Sequence, residues 1–152
     1  MRVALLTLVI FSFISICGFS QEKIQWTFSL NDSRCIEAKA QIETGWHLYS
    51  MHINPDAGPV PTQISLEKNK AFQLTEAWME KGELIEKFEP NFGATVKYFE
   101  NQYSLFAPVH IKKASVIKGE LTYMLCDDKR CLPPKTIPFE IAVTPFKPEK
   151  SN

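Results

Sequence analysis

Residues 123–141 of the chain read YMLCDDKRCLPPKTIPFEI. After the double proline, apolar side chains fall at every second position from Ile137 to Ile141, and this alternation is typical of a half-buried β-strand. The apolar run that ends at Cys126 predicts a second strand, and four polar residues connect Cys126 to Cys131. The stretch therefore predicts two strands joined by a polar loop that has a cysteine at each end.

The same alternation recurs along most of the chain. It is found in KIQWTFSL (residues 23–30), CIEAKAQI (35–42) and YSLFAPVHI (103–111), and turn-forming residues separate the runs. Residues 75–88, TEAWMEKGELIEKF, have Gly82 near their middle and could form a helix, two short strands or a loop. About eight short strands with few helices predict a single antiparallel β-sandwich.

The N-terminus is typical of a secretory signal peptide. A positive residue precedes an apolar run, and Gly18 and Ser20 occupy the small-residue positions of a cleavage site before Gln21. An uncleaved membrane anchor is the alternative, although the run is short for a bilayer and polar residues interrupt it. We therefore predict a signal peptide over residues 1–20 and one exported domain over residues 21–152, with no membrane insertion after cleavage.

The balance of charge excludes some classes of partner. The full chain has 17 basic and 17 acidic residues. Cleavage removes only Arg2 among these, so the mature domain keeps 16 basic and 17 acidic residues and a net charge of −1. Such a domain has no electrostatic basis for binding nucleic acid or an anionic membrane. No histidine lies at metal-ligand spacing from the cysteines, so we expect no metal and no cofactor, and we expect a monomer.

The mature domain has an odd number of cysteines: Cys35, Cys126 and Cys131. At least one therefore has no partner within the chain. We interpret Cys35, on the strand face opposite Ile36, as a free, half-exposed thiol or as a residue that fills the end of the strand, without a role in either case. A disulfide across so short a loop as Cys126–Cys131 would stabilise the fold by only about 2 to 3 kcal/mol. From the residues alone, a structural disulfide and a redox-active disulfide remain equally open.

The loop between the two cysteines carries its charges asymmetrically. Lys129 and Arg130 stand next to Cys131, where positive charge would stabilise a thiolate. The acidic pair Asp127–Asp128 follows Cys126 directly and would disfavour a thiolate there. This arrangement predicts that Cys131 is the more reactive sulfur of the pair.

Three motifs follow one another in the chain: GWHLYS at residues 45–50, NFGATVKYFENQYSLFAPVHI at residues 91–111, and CLPP at residues 131–134. In this order they resemble the N-terminal periplasmic domain of the DsbD family, the thiol:disulfide interchange proteins. The resemblance spans nearly the whole mature domain. It implies an immunoglobulin-like antiparallel β-sandwich that lies in the periplasm and carries its cysteine pair at one end.

The resemblance also implies roles for residues at matching positions. Cys131 corresponds to the cysteine that forms mixed disulfides with partners, and Cys126 to the cysteine that resolves them. Tyr49 and His47 match aromatic residues that line the family's site. The alternative for both is a strand residue that packs over the core.

A loop with an aromatic residue caps the disulfide in the family. The corresponding sequence here is KFEPNFG, in which Glu89 matches one of the family's two acids and Asn91 stands where the capping phenylalanine would be. We therefore expect a ring of Phe88, Phe92 or Tyr49 to contact the sulfur pair. The cysteine loop also has four residues here, where the best-known members have five.

The family protein continues into a transmembrane electron carrier and a thioredoxin-like domain, whereas this sequence ends at residue 152. We therefore expect a separate membrane electron donor. The predicted function is a periplasmic dithiol/disulfide carrier, a component of a protein-disulfide reductase system, which passes electrons from that donor to oxidised thioredoxin-like proteins. The alternative is a secreted immunoglobulin-like protein-binding module with an inert hairpin disulfide. The sequence has no nucleophile elbow and no glycine-rich phosphate loop.

Overall fold

The structure, a computed structural model, describes residues 22–146 except 55 and 57. The predicted signal peptide lies outside the described residues. The strands are β1 (Ile24–Leu30), β2 (Cys35–Ile42), β3 (His47–Tyr49), β4 (Gln63–Leu66), β5 (Phe72–Leu74), β6 (Met79–Glu89), β7 (Ala94–Ile111), β8 (Ser115–Tyr123), β9 (Leu125–Cys126) and β10 (Lys135–Val143). None of the described residues forms an α-helix, and that part of the chain contains no helix long and apolar enough to cross a bilayer.

The strands form two antiparallel sheets. The larger has seven strands, in the order β1-β2-β7-β3-β9, with β5 and β6 also paired to β7. The smaller has three strands in the order β10-β8-β4. The fold is an immunoglobulin-like antiparallel β-sandwich, and the fold class predicted from the alternating sequence is confirmed.

Alternation places one side of most strands between the sheets. In β2, for example, Ile36, Ala38 and Ala40 are buried while Lys39 and Gln41 are exposed, because successive side chains of a strand point to opposite faces. The buried apolar residues between the sheets are called the core cluster. Its members are Ile24, Ile36, Ala38, Ala40, Ile42, Trp46, Leu48, Phe72, Phe99, Tyr103, Leu105, Val109, Ile111, Ile117, Leu121, Tyr123, Leu125, Phe139, Ile141 and Val143.

Strand β7 organises the larger sheet. It is 18 residues long, and it pairs with β2 and β3 along one side and with β5 and β6 along the other. The β6–β7 register shifts between Gly82 and Leu84. Near this shift, Asn101 of β7 takes a left-handed backbone conformation with φ of 59°. The bulge lets one long strand serve both ends of the sandwich.

The stretch over residues 75–88, which the sequence left open, is mostly strand. Residues from Met79 onward form β6 and pair with β7 on both sides of the bulge. The local sequence contains good helix formers, but hydrogen bonding to a long neighbouring strand overrides so weak a preference.

The strand before the cysteines differs from the prediction that it runs up to Cys126. β8 ends at Tyr123 in the smaller sheet, and the chain then crosses to the larger sheet, where Leu125 and Cys126 form β9 beside β3. Cys131 forms an isolated antiparallel bridge with Cys126, and the last strand begins only at Lys135. The cysteine loop thus lies where the chain passes from one sheet to the other and back.

Candidate functional site

Cys126 and Cys131 form a disulfide, with their Cα atoms 4.0 Å apart. The two sulfurs belong to residues of very different exposure. Cys126 is 1% exposed, whereas Cys131 is exposed at the surface. A second molecule can therefore approach the disulfide from the side of Cys131.

The turn between the cysteines is held by Asp127. Its Oδ1 accepts hydrogen bonds from the backbone N–H groups of Lys129 and Arg130, both at 2.8 Å. These backbone hydrogen bonds hold the pKa of Asp127 below its ordinary value. At the end of the turn, the N–H of Leu132 donates to the carbonyl of Leu125 at 2.8 Å. The carboxylate of Asp127 therefore serves to organise the turn.

Strand pairing places His47 beside the buried sulfur. His47 is directly opposite Cys126 on β9 and opposite Glu100 on β7. Directly opposed residues of antiparallel strands share one face of the sheet. Leu48, by contrast, is in the core cluster, so His47 and Cys126 lie on the outer face of the larger sheet.

The same outer face carries a second group of buried side chains, the site cluster. It consists of Tyr49, Ile53, Val96, Tyr98, Met124 and Cys126, with Val60, Ile85 and Phe92 packed against it. Tyr49 lies opposite Tyr98 in the β3–β7 register, and the ring centroids of His47 and Tyr98 are 4.5 Å apart. Cys126 thus lies in the same buried cluster as the rings of Tyr49 and Tyr98.

Two of these aromatic side chains are joined by a hydrogen bond. Nε2 of His47 lies 3.3 Å from Oη of Tyr49. Burial is the main cause that lowers the pKa of His47, and nearby carboxylates, Glu100 foremost, oppose it. Burial also raises the pKa of Tyr49 to about 12. Near neutral pH the imidazole is therefore uncharged and the phenol keeps its proton.

Phe92 is the phenylalanine at the site. Its ring meets the ring of Tyr49 edge-on, with centroids 6.2 Å apart. Phe88 occupies the other face of β6 and is 58% exposed, because it pairs with Thr95, whereas the residues of β6 on the site face pair with Val96 and Tyr98. The alternation of β6 therefore turns Phe88 away from the site, whereas Phe92, in the turn after β6, lies against Tyr49.

A cavity of about 600 Å³ opens beside the disulfide. Both cations of the cysteine loop reach it, and the carboxylate of Glu89 lies 3.3 Å from Nζ of Lys87. The cavity brings together every predicted site residue except Phe88. Its lining is formed by His47, Tyr49, Lys87, Glu89, Asn91, Phe92, Cys126, Asp127, Asp128, Lys129, Arg130 and Cys131.

Arg130 is less available to the disulfide than its position in the sequence suggests. Its Nε lies 3.8 Å from Oδ2 of Asp127, and its guanidinium carbon stands 5.9 Å from the ring centroid of Trp46. Part of its charge is therefore engaged within the turn.

The segment between β3 and β4, of which residues 50–54, 56 and 58–62 are described, contributes Ile53 to the site cluster and packs Val60 against it. We call these described residues the cover segment. Glu80 holds its beginning, because this carboxylate accepts hydrogen bonds from Oγ of Ser50 at 2.6 Å, the N–H of Met51 at 2.8 Å and Oη of Tyr103 at 2.6 Å. At its end, the hydroxyl of Thr62 donates to the carbonyl of Tyr49 at 2.6 Å. The cover segment is thus fixed at both ends.

Gly58 brings the cover segment against Phe92. A Cβ at this position would stand 2.5 Å from the Phe92 ring, and the backbone there has a φ of +108°. Sequence reasoning missed both Gly58 and Glu80. No local pattern marks either residue, because each is defined by contacts with segments far along the chain.

Cys35 is a free thiol, but it is buried rather than half-exposed. The turn before it folds back, with reciprocal hydrogen bonds between Asn31 and Cys35. Burial raises the pKa of this thiol. His52 and His110, which the sequence left as structural or surface residues, are exposed. Among the described residues, no group of three or more His, Cys, Asp or Glu side chains could hold a metal ion.

Comparison with known proteins places this arrangement in a family. Two similar solved structures are from Neisseria meningitidis. The DsbD N-terminal domain in its reduced form has a TM-score of 0.60 and 15% identity, and the match covers 80% of this chain and 86% of that one. The complex between the DsbD and PilB N-terminal domains has a TM-score of 0.55 and 13% identity, and the match covers 82% and 89%. At identities this low, the two similarities show a common fold and nothing more.

No curated protein sequence matches the chain. The family model described as "Thiol:disulfide interchange protein DsbD, N-terminal" matches residues 19–142, which include the β-sandwich and both cysteines of the disulfide. The chain therefore belongs to the family of the N-terminal domain of the thiol:disulfide interchange protein DsbD.

Proposed function

We propose that this domain is a periplasmic dithiol/disulfide carrier, which passes electrons by thiol–disulfide exchange to oxidised thioredoxin-like proteins. The observation that carries the proposal is the unequal exposure of the two cysteines, since Cys131 is open to a partner and Cys126 is buried behind it. A disulfide that serves stability alone has no need of one open sulfur beside a polar cavity.

The exchange proceeds through two displacements. In the reduced domain, the thiolate of Cys131 attacks the disulfide of the partner, and one sulfur of the partner leaves as a thiolate. A mixed disulfide now joins the two proteins. Cys126 then attacks Cys131, which forms the Cys126–Cys131 disulfide and releases the partner with two reduced cysteines. Two electrons pass to the partner, and a membrane reductase restores the dithiol of the domain.

The cations of the cysteine loop support this division of roles. Lys129 and Arg130 line the cavity with Cys131, and positive charge favours a thiolate. We expect that replacing both cations with glutamine slows exchange near neutral pH and has less effect in alkaline solution, where the thiol ionises without help. We expect Lys129 to account for more of the loss, because Arg130 is partly engaged with Asp127.

Single serine variants test the roles. Cys126→Ser should trap a mixed disulfide with oxidised thioredoxin through Cys131, because no resolving thiol remains, whereas Cys131→Ser should form none. Cys35→Ser is the matched control, since it removes the third cysteine without touching the disulfide. Covalent complexes are counted on non-reducing gels and located by mass spectrometry. Trapping by Cys131→Ser instead would reverse the roles.

Trapping by neither variant would favour the inert-disulfide binding module. A reduction potential well below about −300 mV, measured in a glutathione titration, would favour it as well, because potentials of that size are typical of structural disulfides. The solved complex of a DsbD N-terminal domain with the PilB N-terminal domain supports the expectation that this fold can dock a protein partner.

A further inference from the structure

His47 stands between the buried cysteine and a carboxylate. The β3–β9 register sets it directly opposite Cys126, and the β3–β7 register sets it opposite Glu100 on its other side. Side chains opposed in this way have Cβ atoms about 4.5–5.5 Å apart on one face of the sheet. The imidazole is therefore the cross-strand neighbour of the resolving sulfur.

Because Cys126 is buried, its thiol is difficult to ionise unless a nearby group accepts the proton. Only the thiolate is a nucleophile, and an ionised sulfur that is 1% exposed is cut off from the water that would otherwise stabilise it. A protein group that takes the thiol proton would therefore speed the attack by Cys126, because it would supply the thiolate where water has little access. His47 lies on the same face of the sheet as Cys126 and directly opposite it.

Several other ionisable groups near the disulfide are poorer acceptors, among them Glu89, whose carboxylate is paired with Nζ of Lys87 at 3.3 Å. Tyr49 and Tyr98 keep their protons near neutral pH, because burial raises the pKa of both phenols. Asp127 is engaged with two backbone N–H groups. Lys87 is a cation whose pKa is raised by its hydrogen bond to Glu89.

His47 is better suited to accept a proton. Burial keeps its imidazole neutral near pH 7, so that it can take a proton, while Glu100, Glu89 and Asp128 favour the protonated form once the proton arrives and Lys87 opposes it. Its Nε2 lies 3.3 Å from the hydroxyl of Tyr49, whose oxygen can accept the N–H of the imidazolium.

We propose that His47 is the proton acceptor for Cys126 in the step that resolves the mixed disulfide. This role rests on the proposed carrier function. The proton of the Cys126 thiol passes to the imidazole as the sulfur attacks Cys131. The bond between Cys131 and the partner breaks, the Cys126–Cys131 bond forms, and the partner leaves as a thiolate. The imidazolium then returns the proton through the cavity to that thiolate or to water.

A small aromatic disulfide isolates this step from protein docking. Dithiobis(nitrobenzoate), added in equimolar amount to the reduced domain, reacts with the exposed Cys131 and releases one nitrobenzoate thiolate. Attack by Cys126 on the resulting mixed disulfide releases a second. Both releases are followed by absorbance in a stopped-flow instrument, in a Cys35→Ala background that leaves only the two cysteines of the site.

Two variants of His47 separate chemistry from packing. His47→Phe keeps an aromatic ring against Tyr98 but has no nitrogen, and His47→Gln keeps a polar group that does not titrate. His110→Gln is the matched control, because this histidine is exposed at the far end of β7, opposite Gln73 of β5. Circular dichroism checks that each variant is folded, and the first release provides an internal standard for access to Cys131.

We expect the second release to slow on the order of 10²-fold near neutral pH in both His47 variants, the low end of general acid–base effects. Its rate in the parent protein should rise with pH through the range in which His47 loses its proton, and that inflection should vanish in both variants. The first release should change little.

An unchanged pH profile of the second release in His47→Phe and His47→Gln would overturn the role of His47 alone. Absence of any second release in the parent protein, or a first release that survives Cys131→Ser unchanged, would instead overturn the carrier function. The two failures are thus distinguishable within one experiment.

Discussion

The core cluster and the site cluster lie on opposite faces of the same strands, and the fold uses them differently. Leu48, Phe99 and Leu125 point between the sheets, while their chain neighbours Tyr49 and Tyr98 point to the outer face with the buried cysteine. Both clusters are buried. Trp46, Tyr103 and Tyr123 are the only members of the core cluster with a polar side-chain atom. In the smaller site cluster, two of the six residues carry hydroxyl groups and a third is a cysteine that can react.

The two clusters also differ in what encloses them. Two sheets close the core cluster from both sides, so its burial depends on the whole fold. The site cluster is covered by the cover segment and by Phe92, which meet at Gly58. A few contacts therefore control access to the site cluster, and changes there can alter reactivity without unfolding the domain.

The largest difference between an effect on stability and an effect on exchange should come from shortening a side chain in the core cluster. Leu48 has no exposed surface, so Leu48→Ala should lower the free energy of unfolding by about 2–5 kcal/mol. Exchange by the fraction that remains folded should keep the parent rate. Urea unfolding measures the first quantity and the release of nitrobenzoate thiolate the second.

Phe88→Ala is the matched control for this change, because it deletes a larger but mostly exposed side chain from the same sheet. It should leave stability nearly unchanged. If Leu48→Ala instead altered exchange strongly in folded protein, the two clusters would not be separable as we describe.

A smaller effect is expected where the cover segment meets the site. In Gly58→Ala, the left-handed backbone and the collision with Phe92 should together cost about 1–3 kcal/mol. Displacing the Phe92 ring should also expose the disulfide to solvent, so a small thiol such as dithiothreitol should reduce it faster.

Gly45→Ala tests whether backbone strain alone is responsible. Gly45 also has a positive φ, of +84°, but a Cβ there would meet no atom within 4 Å. It should lose stability with no gain in disulfide reactivity. If the disulfide were reduced equally fast in the two alanine variants, Phe92 would not control access to it.

Much of this contrast could be predicted from the sequence, because alternation is a local signal. The period of two in residues 35–42 and 103–111 indicated both the strands and their buried sides. The cysteine pair and its polar loop were equally local. Spacing therefore sufficed for the β-sandwich and for a disulfide between Cys126 and Cys131, whereas the expected place of that disulfide came from the resemblance to the DsbD family.

The remainder depends on pairing across the chain. The helix formers around Leu84 became strand only because β7 runs alongside. The same pairing turned Phe88 to the exposed face, whereas the turn after β6 brought Phe92 to the site. Cys35 is buried, and it follows a turn in which the N–H of Asn31 donates to the carbonyl of Cys35. Glu80 acts through hydrogen bonds to segments some 20 to 30 residues away in sequence. None of these relations leaves a local pattern.

The smallest expected effect concerns the hydroxyl of Tyr49, which joins the site cluster to His47. Near neutral pH, Tyr49→Phe removes one hydrogen bond and should lower the free energy of unfolding by about 0.5–1.5 kcal/mol. In alkaline solution the difference should change sign or shrink. The pKa of this phenol is about 12 in the folded domain against 10.0 when unperturbed, so the unfolded chain loses the proton first.

The stability that comes from keeping Tyr49 protonated is therefore fully present below pH 10 and is lost as the pH rises through about 12. Tyr49→Phe has no such proton to lose, so its stability should fall less steeply over that window than that of the parent protein. Urea unfolding at a series of alkaline pH values measures both curves, and phenolate absorbance reports the ionisation directly. Curves that stayed parallel across the window would show that this hydroxyl has the same pKa in the folded and the unfolded chain. The site cluster would then not shield the phenol of Tyr49 from water.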